Sequence, residues 1–161
     1  MAEDKDVDGR LWDMIEDIRV AMLTTAAGHS LESRPMSAYV DKEARLIWFL
    51  TRIDSGKTDE IADDAQVNLA FADTAGKSFV SVSGTARVVR DIAKQKQLWN
   101  AFAEAWMPEG PEAATTALIC VRPAHGTYWD SPGKLATLFQ VAKANITQTP
   151  ASSGDVRHVS L

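Results

Sequence analysis

Short runs of β-favouring residues, separated by clusters of turn residues, recur through this chain and constrain its fold more than any other feature. Runs rich in Val, Ile, Thr and aromatic residues are typical of strands, and Gly, Asp, Asn and Ser between them are typical of turns. Two such runs joined by a few turn residues favour an antiparallel hairpin. The predicted strands are residues 20–26, 33–40, 45–51, 66–73, 78–90, 116–122 and 126–129.

Helical segments are predicted at both ends of the chain and between the strands. An amphipathic first helix follows from apolar residues spaced three or four apart, which are Val7, Leu11, Ile15, Ile18 and Met22. A short helix opens within residues 55–61, and Asp91 is a suitable N-cap for a helix that runs to Trp106. A last helix is predicted from Leu135, Leu138, Phe139 and Ala142.

The order of these elements predicts the fold class. The strands lack the regular strand–helix alternation that builds a parallel sheet. Six or seven antiparallel strands with peripheral helices predict a mainly β (α+β) fold, and within it a small closed or partly closed barrel. Pro123 predicts a bend, because a central strand does not tolerate proline. We expect one domain over residues 1–146 and a polar C-terminal tail over residues 147–161.

Composition argues against several classes of function. The chain has 161 residues and a net charge of −5, with scattered Lys and Arg, which argues against nucleic-acid binding. No stretch is long and apolar enough for a membrane helix. The N-terminus lacks the pattern of a secretory signal, and the single Cys120 lies in an apolar run. We therefore expect a cytoplasmic protein that binds neither nucleic acid nor membranes.

Two segments offer groups that suit an anion. Arg34 presents a guanidinium fork that matches a phosphate, and Pro35 confines its strand to an edge, where backbone amides stay free. Residues 49–57 combine a strand end, small hydroxyl side chains and Lys57 in the first turn of a predicted helix. Taken alone, Arg34 is more often an exposed charge, and the second segment is more often an N-cap Ser followed by an exposed Lys.

Five motifs in register make the chain similar to a known family. They are Ser33-Arg34-Pro35-Met36, Leu46-Ile47-Trp48-Phe49-Leu50-Thr51, Ser55-Gly56-Lys57, Val82-Ser83-Gly84-Thr85-Ala86 and Tyr128-Trp129-Asp130. In order and spacing they resemble the general-stress-protein branch of the pyridoxamine 5′-phosphate oxidase-like flavoproteins, over most of residues 10–145. The resemblance implies an FMN-binding split β-barrel. It also implies a homodimer with one flavin in each of two clefts at the subunit interface.

The resemblance assigns a phosphate grip to one part of the flavin site. By position, Arg34 and Lys57 hold the flavin phosphate, with help from Ser55 and Thr51. Leu50 lines the same cleft.

The resemblance places other residues beside the flavin ring. Pro35, Met36 and Ser37 run along the isoalloxazine, and their backbone groups meet its polar edge. Trp129 matches an aromatic residue that reaches the flavin from the other subunit; the alternative interpretation of Trp129 is a core tryptophan.

Two departures from the family argue against the oxidation of pyridoxine or pyridoxamine phosphate. The oxidases that make pyridoxal phosphate carry a basic residue at the end of the arginine-led strand, and an Arg and His cluster after the late tryptophan. Tyr39 and residues 130–134 occupy those places here, so a substrate phosphate would lack its anchors. Flavin binding does not depend on these residues.

No further catalytic or metal site is indicated. His29, His125 and His158 lie far apart and lack partners at metal-ligand spacing, and the apolar run around Cys120 does not activate a thiol. We identify no catalytic side chain. The helix predicted to follow Asp91 carries an aromatic stripe, which we interpret as a core or dimer contact rather than as a ligand site. Its residues are Trp99, Phe102 and Trp106.

Two functions remain open. In the first, the chain is a flavin-dependent oxidoreductase with a nicotinamide or similar donor, in which the cofactor carries out hydride transfer. In the second, it binds flavin without turnover as a stress-related module. A deazaflavin-binding or haem-related member of the same superfamily is a less favoured third possibility, because the same phosphate grip would serve a deazaflavin.

Overall fold

Eight strands and four helices make up the described part of the chain, residues 2–131 and 155–161 of a computed structural model. The helices are α1 (Ala2–Ile18), α2 (Gly56–Asp63), α3 (Ile92–Leu98) and α4 (Ala101–Trp106). The strands are β1 (Val20–Ala27), β2 (Ser30–Ser37), β3 (Tyr39–Asp41), β4 (Leu46–Arg52), β5 (Gln66–Asp73), β6 (Ser78–Val89), β7 (Thr116–Asp130) and β8 (Asp155–Ser160).

All eight described strands form one antiparallel sheet. Its order is β2-β1-β5-β6-β7-β4-β3, and β8 pairs with β7. The mainly β class with peripheral helices is therefore confirmed. The described part has one strand more than predicted, because residues 33–40 divide into parts of two strands and the C-terminal residues add β8, whereas the last two predicted strands are one.

Strand β7 joins the two parts of the sheet. It pairs with β6 along most of its length, with β4 through residues 116–121 and with β8 through residues 125–130. Its register with β6 shifts at one point, so that Pro123 lies opposite Gly84 and His125 opposite Ser83. The predicted interruption at Pro123 is thus a bulge within a continuous strand, where a missing ladder hydrogen bond is tolerated.

The first helix is shorter than its apolar spacing predicts. α1 ends at Ile18, and Arg19 adopts a left-handed conformation with φ at 67° before β1 begins. Met22 therefore lies in β1, where it is exposed, and its assignment to the helical stripe is wrong. Leu11 and Ile15 are fully buried, so the predicted apolar face of α1 does pack on the sheet.

The strand predicted over residues 33–40 is interrupted at Ala38. The amide of Ala38 donates to the carbonyl of Arg19 at 2.7 Å, and this contact separates β2 from β3. β2 lies at one end of the sheet order, with β1 as its neighbour among the described strands. The edge position predicted from Pro35 is confirmed.

The long helix predicted after β6 is two helices, α3 and α4. Asp91 caps α3 as expected, because its carboxylate accepts from the Lys94 amide at 3.0 Å. Asn100 then begins a new helix, since its side-chain oxygen accepts from the amides of Phe102 and Ala103 at 3.0 and 3.1 Å. A side chain that caps a helix N-terminus cannot lie in the middle of a continuous helix.

The end of the segment predicted as a polar tail is part of the sheet. β8 pairs with β7, and the amide of Leu161 donates to the carbonyl of Ala124 at 2.9 Å. The predicted last helix at residues 135–142 and the domain boundary at residue 146 lie outside the described residues.

The core lies between α1 and one face of the sheet. Alternate residues of β1, β5 and β6 point into it, as their burial patterns show. A smaller cluster of Trp48, Leu118 and Cys120 packs beneath α3. No helix in the described ranges is long and apolar enough to cross a membrane. The largest fully buried apolar side chains are Phe49, Phe71, Leu11, Ile15, Leu23, Ile47, Leu69, Leu118 and Ile119.

Replacing Gly84 by alanine is expected to destabilise the fold by about 2–3 kcal/mol. A Cβ at this position would lie 2.2 Å from the Arg122 carbonyl oxygen and 2.9 Å from the Pro123 Cα, so backbone would have to move. Urea unfolding measures the change. Gly9→Ala in α1 is the control, because its Cβ meets nothing within 4 Å, and a gain of about 0.5–1 kcal/mol is expected there. Equal stability of Gly84→Ala and the wild type would contradict the role given to the bulge.

Candidate functional site

A cavity of about 510 Å³ opens between the edge strand β2, the end of β4, the start of α2 and helix α4. Its volume falls in the range of roughly 300–1,000 Å³ that small-molecule sites occupy. Most of its wall is apolar, and its charged side chains come from the segment that joins β4 to α2. The fold therefore offers one end for an anion and a larger surface for a flat apolar group.

Seven of the nine predicted site residues line this cavity. They come from three separate segments, namely β2, the end of β4 and the start of α2, which the sheet order brings together. Pairing of β1 with β2 and of β4 with β7 sets the register of two of these segments. The seven residues are Pro35, Met36, Ser37, Leu50, Thr51, Ser55 and Lys57.

Lys57 supplies a cation at the polar end of the cavity. It is the second residue of α2 and is half-buried. Burial lowers the pKa of its ammonium group, and the positive charge of nearby Arg34 lowers this pKa further. A half-buried ammonium beside a second cation is stabilised by an anion that binds against it.

The start of α2 adds backbone donors to Lys57. The first amides of a helix have no partner within the helix. Ser55 is the N-cap residue but makes no side-chain capping hydrogen bond, because its hydroxyl donates to the Arg52 carbonyl at 2.8 Å. The Thr58 amide donates to the Ser55 carbonyl at 3.0 Å. Amides at the start of α2 therefore remain available to an anion.

Arg34 is predicted as a phosphate ligand, and the structure does not place it among the residues that line the cavity. Its guanidinium donates to the Glu60 carboxylate of α2 at 2.8 Å and to the hydroxyl of Thr25. Thr25 in turn donates to Glu60. The three side chains form a small network that joins β1, β2 and α2 beside Lys57.

Arg52 lines the rim and is held by two carboxylates. It contacts Asp54 through two nitrogens at 3.0 and 2.9 Å, and it donates to Glu109 at 2.6 Å. The Arg52 guanidinium holds the pKa of both carboxyl groups below their ordinary values. These contacts tie the loop that follows α4 to the loop that follows β4.

Helix α4 forms an aromatic wall of the cavity, which the sequence interpretation missed. The side chains of Phe102 and Trp106 are 61% and 72% exposed, and both line the cavity. Their ring centroids lie 6.3 Å apart, with the planes inclined at 52°. The interpretation of these two residues as core is wrong, whereas Trp99 is half-buried and does not line the cavity. A dimer contact at this stripe stays a prediction.

Asn100 attaches α4 to the barrel. While its oxygen caps the helix, its side-chain nitrogen donates to the Tyr39 hydroxyl at 2.6 Å and to the Leu98 carbonyl at 3.1 Å. Tyr39 itself lines the cavity, at the position where the resembling oxidases carry a basic residue. The other lining residues that sequence reasoning missed are Val20, Arg52, Ala103 and Met107. The sequence did contain one indication of α4, because Asn100 is a residue type that favours the N-cap position of a helix.

Trp129 lies away from the cavity of its own chain. It belongs to β7 and is paired with Phe79 of β6 and Val156 of β8. These three side chains are 36–40% exposed and form a row across three strands. The alternative of a core tryptophan is therefore wrong, and contact with a flavin in another subunit stays a prediction.

Groups of side chains that could hold a metal ion are absent from the described part of the chain. Within residues 2–131 and 155–161, no group of three or more His, Cys, Asp or Glu side chains is placed to hold an ion. His158 instead shares a hydrogen bond of 2.9 Å with the Thr127 hydroxyl across β7 and β8.

An antiparallel sheet with peripheral helices, whose edge strand, α2 and α4 line a cavity with cations at one end and an apolar wall, defines a small mainly β protein with a ligand-sized cleft. The family model described as pyridoxamine 5′-phosphate oxidase like matches residues 6–151. The chain belongs to this pyridoxamine 5′-phosphate oxidase-like family, as its motifs predict.

Individual relatives support the family and the fold. Over 157 aligned positions the chain is 29% identical to protein bli-3 of Neurospora crassa, which covers 88% of this chain and 74% of that protein. A structure from Jannaschia sp. named general stress protein 26 superposes with a TM-score of 0.80, at 25% identity over 98% of this chain and 99% of that one. The predicted split barrel is confirmed.

A third relative carries a ligand in its name. It is the general stress FMN/FAD binding protein of Xanthomonas citri, which is 26% identical to this chain. Its structure superposes with a TM-score of 0.71 over 81% of this chain and 92% of that chain.

Glu60→Gln is expected to lower the free energy of unfolding at pH 7 by about 1 kcal/mol. The hydrogen bond from Thr25, together with the Arg34 guanidinium, holds the pKa of Glu60 below its ordinary 4.5 against the opposing effect of burial. Because the folded-state pKa is the lower one, the stabilisation is present above pH 4.5 and is lost as the pH falls through the folded-state pKa. Urea unfolding from pH 7 to pH 3 should show the two proteins converging.

The matched control for this measurement is Glu43→Gln, in the exposed turn between β3 and β4. Its free energy of unfolding should stay within about 0.5 kcal/mol of the wild type. A difference between wild type and Glu60→Gln that stays constant over the whole pH range would contradict a lowered pKa at Glu60.

Proposed function

We propose that the chain binds FMN in this cavity and acts as a flavin-dependent oxidoreductase that takes electrons from a nicotinamide or similar donor. One observation carries the proposal. Three separate segments, selected from the sequence as parts of a flavin site, meet in a single cavity with Lys57 at its polar end. The FMN/FAD binding protein of Xanthomonas citri adds support, because it shares the fold at 26% identity.

The polar end of the cavity fits the phosphate of FMN. The ammonium of Lys57 and the amides at the start of α2 would hold the phosphate, with the hydroxyls of Thr51 and Ser55 beside them. A phosphate dianion would compensate the cost of keeping Lys57 charged while it is half-buried next to Arg34. Arg34 would contribute its charge from the neighbouring network with Glu60.

The rest of the cavity fits a flat ring system. Residues 35–37 belong to an edge strand, where backbone groups on the outer side are free to meet the polar rim of a flavin. Val20 and Leu50 supply apolar contacts. When bound there, the flavin supplies hydride transfer, and the protein supplies its orientation.

The described lining residues include no carboxylate, imidazole or thiol. In this proposal the bound flavin supplies the chemistry, and the lining residues hold and orient it. Flavin binding without turnover would use the same residues, so reduction by a donor separates the two functions.

A homodimer is part of the proposal. The row of Phe79, Trp129 and Val156 leaves three partly exposed apolar side chains on adjacent strands. Such a surface suits contact with a second copy of the chain. Trp129 would then approach the flavin of the other subunit.

The first test is the absorbance of the purified protein and the mass of its released chromophore. A yellow protein that releases FMN, and whose flavin band is bleached by NADH or NADPH under nitrogen and restored by air, is the expected result. A yellow protein that neither donor bleaches overturns the oxidoreductase and leaves the binder. Release of a deazaflavin overturns FMN, and a colourless protein that ignores added FMN overturns flavin binding altogether.

The second test separates the phosphate from the ring. Lys57→Met should weaken FMN binding roughly 10- to 100-fold, because a charged hydrogen bond contributes about 1.5–3 kcal/mol. Binding of riboflavin, which lacks the phosphate, should change less than about twofold. Quenching of flavin fluorescence measures both affinities.

Two further variants complete this test. Arg34→Ala should also weaken FMN more than riboflavin, since it removes a positive charge beside Lys57. Lys42→Met is the control, because Lys42 pairs with Asp13 and Glu16 of α1 and does not line the cavity. Equal losses for FMN and riboflavin in Lys57→Met would refute the phosphate assignment.

A further inference from the structure

The aromatic face of α4 has no role in the flavin grip, although it lines the same cavity. We propose that Phe102, Trp106 and Met107 form a substrate subsite for uncharged, planar aromatic molecules. This inference rests on the proposed function, because it takes the polar end of the cavity to be filled by the flavin phosphate. It adds a substrate class, which the names of the relatives reported above do not state.

The side chains of α4 have the shape of a binding wall rather than of a packed core. Phe102 and Trp106 are largely exposed yet line the cavity, and their rings are inclined at 52° with centroids 6.3 Å apart. Two inclined rings offer one face and one edge to a third ring, which are the arrangements that aromatic groups prefer. Met107 adds a polarizable thioether beside them.

The wall is held in place from both ends. At its start, Asn100 caps α4 and donates to the Tyr39 hydroxyl at 2.6 Å, and buried Ala103 anchors the helix against the barrel. At its end, Glu109 accepts from Arg52 at 2.6 Å. A wall that is already positioned loses little conformational freedom when a ligand binds.

The charges around the cavity determine which aromatic molecules fit. Among the described lining residues, the cations are Lys57 and Arg52. Arg52 is held by Asp54 and Glu109, so these three side chains together carry one net negative charge, and Lys57 is assigned to the flavin phosphate. An anionic or phosphorylated substrate would leave its charge without a partner, which is costly in an apolar site. A neutral ring carries no charge that would be left without a partner when it enters the cavity.

A second copy of the chain is the competing occupant of this face. An exposed tryptophan is also common at protein interfaces. The cavity favours a small molecule, because Trp106 and Phe102 lie on a concave surface shared with Leu50 and Lys57 rather than on a flat face.

Equilibrium dialysis of the FMN-loaded protein tests the inference with two probes of nearly equal shape. Naphthalene-2-sulfonamide is neutral, and naphthalene-2-sulfonate carries one negative charge. The sulfonamide is expected to bind at least tenfold more tightly. Trp106→Ala and Phe102→Ala should each weaken sulfonamide binding, Trp106→Ala by roughly tenfold. Because both side chains are mostly exposed, neither truncation is expected to unfold the protein.

Trp99→Ala is the matched control, since Trp99 lies just before α4 and does not line the cavity. Its affinity for the sulfonamide should stay within about twofold of the wild type. Tighter binding of the sulfonate, or unchanged affinity in both α4 variants, overturns the inference. A dimer that Trp106→Ala converts to monomer in sedimentation, with unchanged sulfonamide binding, overturns it in favour of an interface.

A failure of the proposed function can be distinguished from a failure of this inference. Flavin absorbance recorded before dialysis shows whether FMN is loaded. If no flavin binds, the proposed function is overturned and the inference falls with it, because Lys57 is then free to pair with the sulfonate. If flavin binds but the sulfonamide does not bind more tightly than the sulfonate, the inference alone is overturned.

Discussion

The close approach of β6 to β7 at Gly84 is the contact on which the rest of the structure depends. Because Gly84 has no side chain, the Arg122 carbonyl and Pro123 fit against β6, and β7 runs through a proline for 15 residues. A strand of that length pairs with β4 near one end and with β8 near the other. β4 in turn leads directly into the loop and helix that carry Lys57, so the position of the cavity follows from the bulge.

The strands could be predicted from the sequence because their signal is local. Alternating burial and turn residues depend on neighbours in the chain, and each of the seven predicted runs overlaps a strand of the described sheet. The divisions were missed because they depend on distant contacts. Ala38 is turned out of its strand by Arg19, and Asn100 begins α4 beside Tyr39, which lies 61 residues earlier. β8 was missed for the same reason, because it is a strand only through its pairing with the distant β7.

The candidate site also has a part that could be predicted from the sequence and a part that could not. Its polar segments carry short motifs, and resemblance to a family identified them in the sequence. The wall of α4 was misinterpreted because an apolar stripe on a helix predicts burial, and only the tertiary structure shows that Phe102 and Trp106 face a cavity. The contact of Arg34 with Glu60 could not be predicted either, since the two residues are 26 positions apart and meet because α2 packs on β1, the strand that pairs with β2.

The two ends of the cavity are carried by separate stretches of chain. Residues 35–57 supply the end that carries Lys57, whereas the aromatic wall comes from a single turn-and-helix segment that begins at Asn100. That segment is attached to the sheet through the side-chain amide of Asn100, the ion pair of Arg52 with Glu109, and the buried side chains of Ala103 and Met107. Substitutions in that segment can therefore change the aromatic wall while the residues around Lys57 stay the same, so the two ends of the cavity can vary independently.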